Sequence, residues 1–194
     1  MNRSTVSPQS SEPVGRGTRR KRTDFNVSRM VLSVAAAWIL SLGFDLFLHG
    51  GLLARLYVGP SQFLLEPEQA FRRIPLGYLA FLALTLGLYW LLMRLGVRGV
   101  IAGFRHGAAV GLVGWGAFAV GLYSISTATL PLLAGWWLGQ AVELGLAGAV
   151  LGAAANSVPL RRVWSIVVVV FVICVAGTLV LQALGLAPPM KVIR

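Results

Sequence analysis

Five separate runs of apolar residues, each long enough to cross a lipid bilayer, dominate this sequence. They cover about residues 30–49, 76–95, 99–123, 132–155 and 163–184. A hydrocarbon core about 30 Å thick takes roughly 20 apolar residues of helix to cross. Backbone N–H and C=O groups find no water there, so each crossing segment must satisfy its own hydrogen bonds as a helix. We expect an all-α fold: a polytopic transmembrane bundle of five spans, occupying residues 29–187. The mean hydropathy of +0.78 agrees. So does a charged fraction of 12%, about half that of soluble domains.

A net charge of +11 would direct attention to nucleic acid in a soluble protein. Here the basic residues crowd the tail and the connections between spans, which points to lipid headgroups and topology, with no nucleic-acid partner. Of the 17 Lys and Arg residues, twelve fall on one side: seven in the N-terminal segment through Arg29, Arg94, Arg98 and Arg105 around the turn between the second and third spans, and Arg161 and Arg162 between the fourth and fifth. Five fall on the other. The positive-inside rule then sets the N-terminus in the cytoplasm and the C-terminus outside. The expected location is a cell membrane, the bacterial inner membrane foremost.

Residues 1–28 are rich in Ser, Pro, Gly and Arg and carry too little apolar surface to offset their ordering entropy. We expect a cytoplasmic tail, disordered or bound to a partner. Its cluster Arg19, Arg20, Lys21 and Arg22 is expected against anionic lipid or a partner. No small-x-small cleavage site follows the first apolar run, so a cleaved leader is not expected. Residues 188–194 form a short external tail. Residues 50–75 form the one long connection. Within it Gly59-Pro60 breaks the chain, and Glu66-Pro67-Glu68 reads as a helix start, with a proline and carboxylates at the positive end of the dipole. Glu68 and Arg72 are spaced i,i+4. Pro75 is expected to end this helix, leaving an amphipathic connector that lies in the interface or caps the bundle.

Helix packing is legible in glycines. Gly99, Gly103, Gly107, Gly111 and Gly114 lie along one face of the third span, with Gly121 beyond them. Gly135 and Gly139 repeat the spacing in the fourth span, and Gly148 and Gly152 form a second face. Bare backbones approach closely and gain dispersion contacts, a main attraction between helices in lipid. Two such faces predict a central fourth span. Tyr57, Tyr123, Trp136, Trp137 and Trp164 sit near span ends and read as interfacial anchors.

Charged side chains inside a span cost at least about 2.5–3.5 kcal/mol and mark interiors and functional sites. Two carboxylates qualify, Asp45 and Glu143. Trp38, Ser41, Asp45 and His49 share one face of the first span, and Trp136, Gln140, Glu143 and Ala147 lie on one side of the fourth. Contact between those spans would gather Asp45, His49, Gln140 and Glu143 into an outward-opening polar cluster. Three readings fit it: a structural hydrogen-bond clamp, a proton or cation relay through Glu143 and Asp45, and a cofactor site. In the last, His49 or His106 would be the axial ligand of a haem or chlorophyll-type pigment, with Trp or Phe as walls and no metal site otherwise expected. His106, beside Arg105, reads as interfacial. Cys174 reads as an apolar filler.

No nucleophile elbow, phosphate-binding glycine loop or Cys/His ligand spacing is present, and an enzyme is not expected. The sequence reads first as an accessory or structural subunit of a membrane assembly, with lipids and other subunits as partners and no cofactor required. A small proton- or cation-coupled carrier or channel, and a cofactor- or pigment-binding module, are the alternatives.

Overall fold

The computed structural model describes residues 27–58 and 61–188. The expectations for Arg19–Arg22, for Gly59-Pro60 and for the C-terminal tail beyond Pro188 lie outside them. The described chain is all helical: α1 (Val27–Phe47), α2 (Pro67–Arg94), α3 (Val100–Ile125), α4 (Leu130–Ala155) and α5 (Leu160–Ala183). All five are long and apolar enough to cross a membrane.

Helix α4 is the axis of the bundle. It is buried along most of its length, whereas α2, α3 and α5 turn large apolar faces outward. Its small residues explain this position, because they admit a neighbour on two sides. Toward α3, Gly103 and Gly107 lie directly against the Gly148 and Leu144 carbonyls, and Gly111 against Ala141. The approach is close enough for the Gly99 N–H to donate across the helices to the Gly152 carbonyl at 2.8 Å. Toward α1, Gly139 and Gly135 receive the side chains of Leu48 and Leu53.

Those two leucines are five residues apart, a spacing that an α-helix turns to different faces. The backbone solves this by continuing α1 as a π-helical turn, Leu48–Leu52, closed by the Leu53 N–H to Leu48 O bond at 2.7 Å. The i→i+5 register brings positions five apart toward one side. A short 3₁₀ turn, Ala54–Tyr57, then carries the chain back over the end of the bundle. Helix α5 grips the same segment: Gln182 Nε2 donates to the Gly50 carbonyl at 3.1 Å, and Leu181 meets Gly51.

Arginines fasten both ends. Arg29, at the start of α1, donates to the Ala154 and Val158 carbonyls at the end of α4, at 2.7 and 3.1 Å. Arg55 donates to the Leu186 and Gly185 carbonyls beyond α5, at 2.8 Å each. Helices α1 and α5 therefore run parallel, with α4 antiparallel between their ends. Arg29, Arg94, Arg98, Arg161 and Arg162 gather at one end of the bundle, and Arg55, Arg72 and Arg73 at the other.

Two expectations are corrected. Pro75 does not end the connector helix. Helix α2 runs unbroken from Pro67 to Arg94 with Pro75 inside it, so the short connector helix and the second span are one element. A proline forfeits a single intrahelical bond, and spanning helices tolerate that loss where neighbours or local adjustment compensate. The helix start at Pro67 and the Glu68–Arg72 pair, at 2.6 Å, are where the sequence placed them. Gly114 does not join the glycine contact. Nothing approaches it, nor Gly121, within 4 Å of a Cβ position. The indole of Trp137 lies against Gly116 and donates to the Leu112 carbonyl at 2.8 Å, holding α3 off α4 in this half.

Candidate polar site between two helices

Contact between α1 and α4 brings the four expected residues into one neighbourhood. Glu143 sits near the middle of α4 and is 2% exposed. Ser41, also 2% exposed, and Gln140 flank its carboxyl, and Asp45 lies within electrostatic reach. The Gln140 amide faces Glu143, yet its Nε2 completes no hydrogen bond of normal geometry. At 7% exposure, this is a buried donor without an acceptor.

From Glu143 the polar groups continue in a row toward the Arg55 end. Asp45 Oδ1 is 3.3 Å from His49 Nε2, one helical turn on. His49 Nδ1 is 2.5 Å from the Tyr57 hydroxyl. The same hydroxyl accepts a hydrogen bond from Trp136 Nε1 at 2.6 Å. Phe63 covers Trp136, with ring centroids 6.0 Å apart. Accessibility falls along this row: the His49 and Asp45 side chains keep 33% and 20% exposure, and Glu143 almost none.

The network assigns the protons. Trp136 only donates, so the Tyr57 oxygen is its acceptor and the Tyr57 proton is free to donate to His49 Nδ1. Neutral His49 then carries its proton on Nε2, facing Asp45. With His49 protonated on both nitrogens, Nδ1–H donates instead and the Tyr57 hydroxyl proton must turn away. Burial pushes Tyr57 up to about 12, so it remains a neutral hydroxyl through the physiological range.

Beyond Glu143, toward the Arg29 end, the α1–α4 interface is apolar: Ala37, Leu40, Ala147, Val150 and Leu151 fill it. The next buried polar group on α1 is Ser33, about 12 Å further along at 1.5 Å per residue, and its hydroxyl is committed to the Arg29 carbonyl. Among the described residues the polar row is therefore open at one end and closed at the other.

Trp38, which shares the Asp45 face of α1, is not part of this network; its Nε1 donates to the Tyr78 carbonyl of α2 at 2.9 Å. His106 is exposed on α3, with Nδ1 2.8 Å from the Ala102 carbonyl of its own helix. It shares nothing with His49. Cys174 is buried on α5 among apolar neighbours. Among the described residues, no three His, Cys, Asp or Glu side chains converge as a metal-ligand set. Sequence reasoning put Trp136 on the same side of α4 as Gln140 and Glu143 but read it, like Tyr57, as an interfacial anchor; the structure ties it to the row through Tyr57. No signal was available for Tyr57, which reaches the site through the π and 3₁₀ turns.

No protein-family model matches the chain, and no curated protein or solved structure is significantly similar to it.

Proposed function

We propose that the protein is a small proton-handling membrane carrier whose coupling site is the Glu143–Asp45 pair, reached from the outer side through His49 and Tyr57. One observation supports this above the others: four proton-bearing groups follow one another from the accessible end of the bundle to its buried centre. A structural clamp needs no such row. A hydrogen-bonded pair at Ser41 and Glu143 would hold α1 to α4 without involving His49 or Tyr57. Polar and ionisable groups inside a bilayer are costly and are kept at ion and proton pathways. The spare Gln140 donor beside Glu143 adds a group whose partner can change with the carboxyl's protonation. The closed apolar half fits one state of an alternating cycle, open toward the outside. In this reading the N-terminus is cytoplasmic, the membrane is the bacterial inner membrane, and the protein is not an enzyme.

Infrared difference spectroscopy on the purified protein in liposomes tests the reading. A pH step is expected to change a protonated-carboxyl C=O band that disappears in Glu143→Gln. Proton flux in the same liposomes should fall in that variant. A carboxyl region indifferent to pH, together with flux unaltered by Glu143→Gln, would remove the proposal.

A second reading, an accessory subunit of a membrane assembly, draws on a different observation. Gly77, Gly114 and Gly121 leave bare backbone on outer faces of α2 and α3 that no neighbour among the described residues covers. Such positions suit close approach of another helix. A stoichiometric companion subunit in native mass spectrometry would favour it, and a lone monomer from mild detergent would remove it. The pigment reading draws less support: both nitrogens of His49 face polar partners within the chain, and the alternative ligand, His106, sits exposed on α3 with Nδ1 at the Ala102 carbonyl.

A further inference from the structure

Helices α2 and α3 are joined by a tight turn but splay apart above it. Between them lies an apolar groove of about 560 Å³. Ala80, Ala83, Gly87 and Leu91 form its α2 wall, Trp115 stands opposite on α3, and Leu144 of α4 is its floor. The wall is low because its central residues are small, and a Cβ at Gly87 would meet nothing within 4 Å.

The direction of that wall is informative. At 100° per residue, Ala80, Ala83, Gly87, Leu91 and Arg94 all fall within a sector of roughly 80°. The groove therefore leads to Arg94, the last residue of α2, and Arg98 follows in the turn. Both arginines are exposed, and neither is in an ion pair among the described residues. From Ala80 to Leu91 the groove is about 16 Å long at 1.5 Å per residue. One leaflet of a hydrocarbon core about 30 Å thick is about 15 Å deep.

We propose that this groove is a binding site for an anionic phospholipid of the leaflet at the Arg94 end. Its phosphate lies at Arg94 and Arg98, and one acyl chain runs over Leu91, Gly87, Ala83 and Ala80. Two features select this occupant. The walls are apolar along the depth of a single leaflet. A pair of cations stands where the headgroup layer begins, a charge that an anionic headgroup complements. The site is separate from the Glu143 cluster, and neither reading rests on the other.

Native mass spectrometry of the full chain, released from nanodiscs of matched-chain phosphatidylglycerol and phosphatidylcholine, tests the proposal. One phosphatidylglycerol is expected to remain bound, in preference to phosphatidylcholine. Arg94→Gln and Arg98→Gln should each weaken that preference about fivefold. Gly87→Leu fills the groove from an open position and should abolish retention. Ala80→Leu at the far end does the same and covers the case of a poorly folded Gly87 variant. Glycerol phosphate, which has a headgroup and no chain, should give no adduct. Equal retention of the two lipids by the unaltered protein would overturn the proposal, as would retention undiminished in the filled variants. A dimer in place of a lipid adduct would assign the groove to a second copy and would also overturn it.

Discussion

The Cβ that Gly107 lacks would fall on the carbonyl oxygen of Leu144. Backbone meets backbone there, and the same is true of Gly103 against the Gly148 carbonyl. Gly87, one helix away, faces open space. The three positions have the same residue and opposite requirements. Gly107→Ala and Gly103→Ala must push α3 off α4 and should destabilise the bundle by roughly 1–3 kcal/mol. Gly87→Ala should be neutral or stabilising by up to about 1 kcal/mol, the helix-propensity gain. Unfolding in mixed detergent micelles, compared across the three variants, measures the order.

Gly139 is expected to behave differently from Gly107, although both are crowded. Its Cβ would meet the methyl tip of Leu48, which can rotate, and not a backbone. Gly139→Ala should cost less than Gly107→Ala. Its effect should appear at the α1–α4 site, through the π turn that carries Leu48 and His49. The same unfolding series, with Trp136 emission recorded alongside, separates the two consequences.

Trp136 is a built-in reporter of the polar row, because its indole N–H donates to Tyr57 at 2.6 Å. Tyr57→Phe removes that acceptor and the partner of His49 Nδ1 while keeping the ring. The Trp136 contribution to emission, isolated by subtraction with Trp136→Phe, should shift in Tyr57→Phe. His49→Gln should shift it less, since Tyr57 would remain as acceptor. An unchanged spectrum in Tyr57→Phe would show that the hydrogen bond does not form in the membrane.

Much of this architecture was legible in the sequence, and the reasons are physical. Bilayer thickness sets the length a crossing helix needs, so five helices long and apolar enough to cross follow from counting apolar residues. Helical periodicity puts Asp45 and His49, and Gln140 and Glu143, on common faces before any contact is known. The central place of α4 follows from its two glycine faces. Other features depend on what a neighbour does. Pro75 reads as a stop because a local rule cannot see that α2 continues past it. Gly114 belongs to the stripe by angle, but the Trp137 indole spreads the helices at its level. Tyr57 enters the site only because Leu48 and Leu53 must fill notches at Gly139 and Gly135, which forces a π turn that no periodicity announces.

Tyr57 also carries a pH signature whose sign is fixed. Burial raises it from 10.0 to about 12 in the folded protein. Below pH 10 both folded and unfolded forms keep the proton, and the shift has no effect on stability. Between pH 10 and about 12 the unfolded chain releases a proton that the folded one retains, so folding weakens as pH rises through that window. Tyr57→Phe should remove this component and flatten the alkaline limb of the stability curve. A phenolate absorbance titration should lose its latest-titrating component in the same variant. If instead the early part of that titration is lost, the Tyr57 hydroxyl is open to water and burial does not hold its proton.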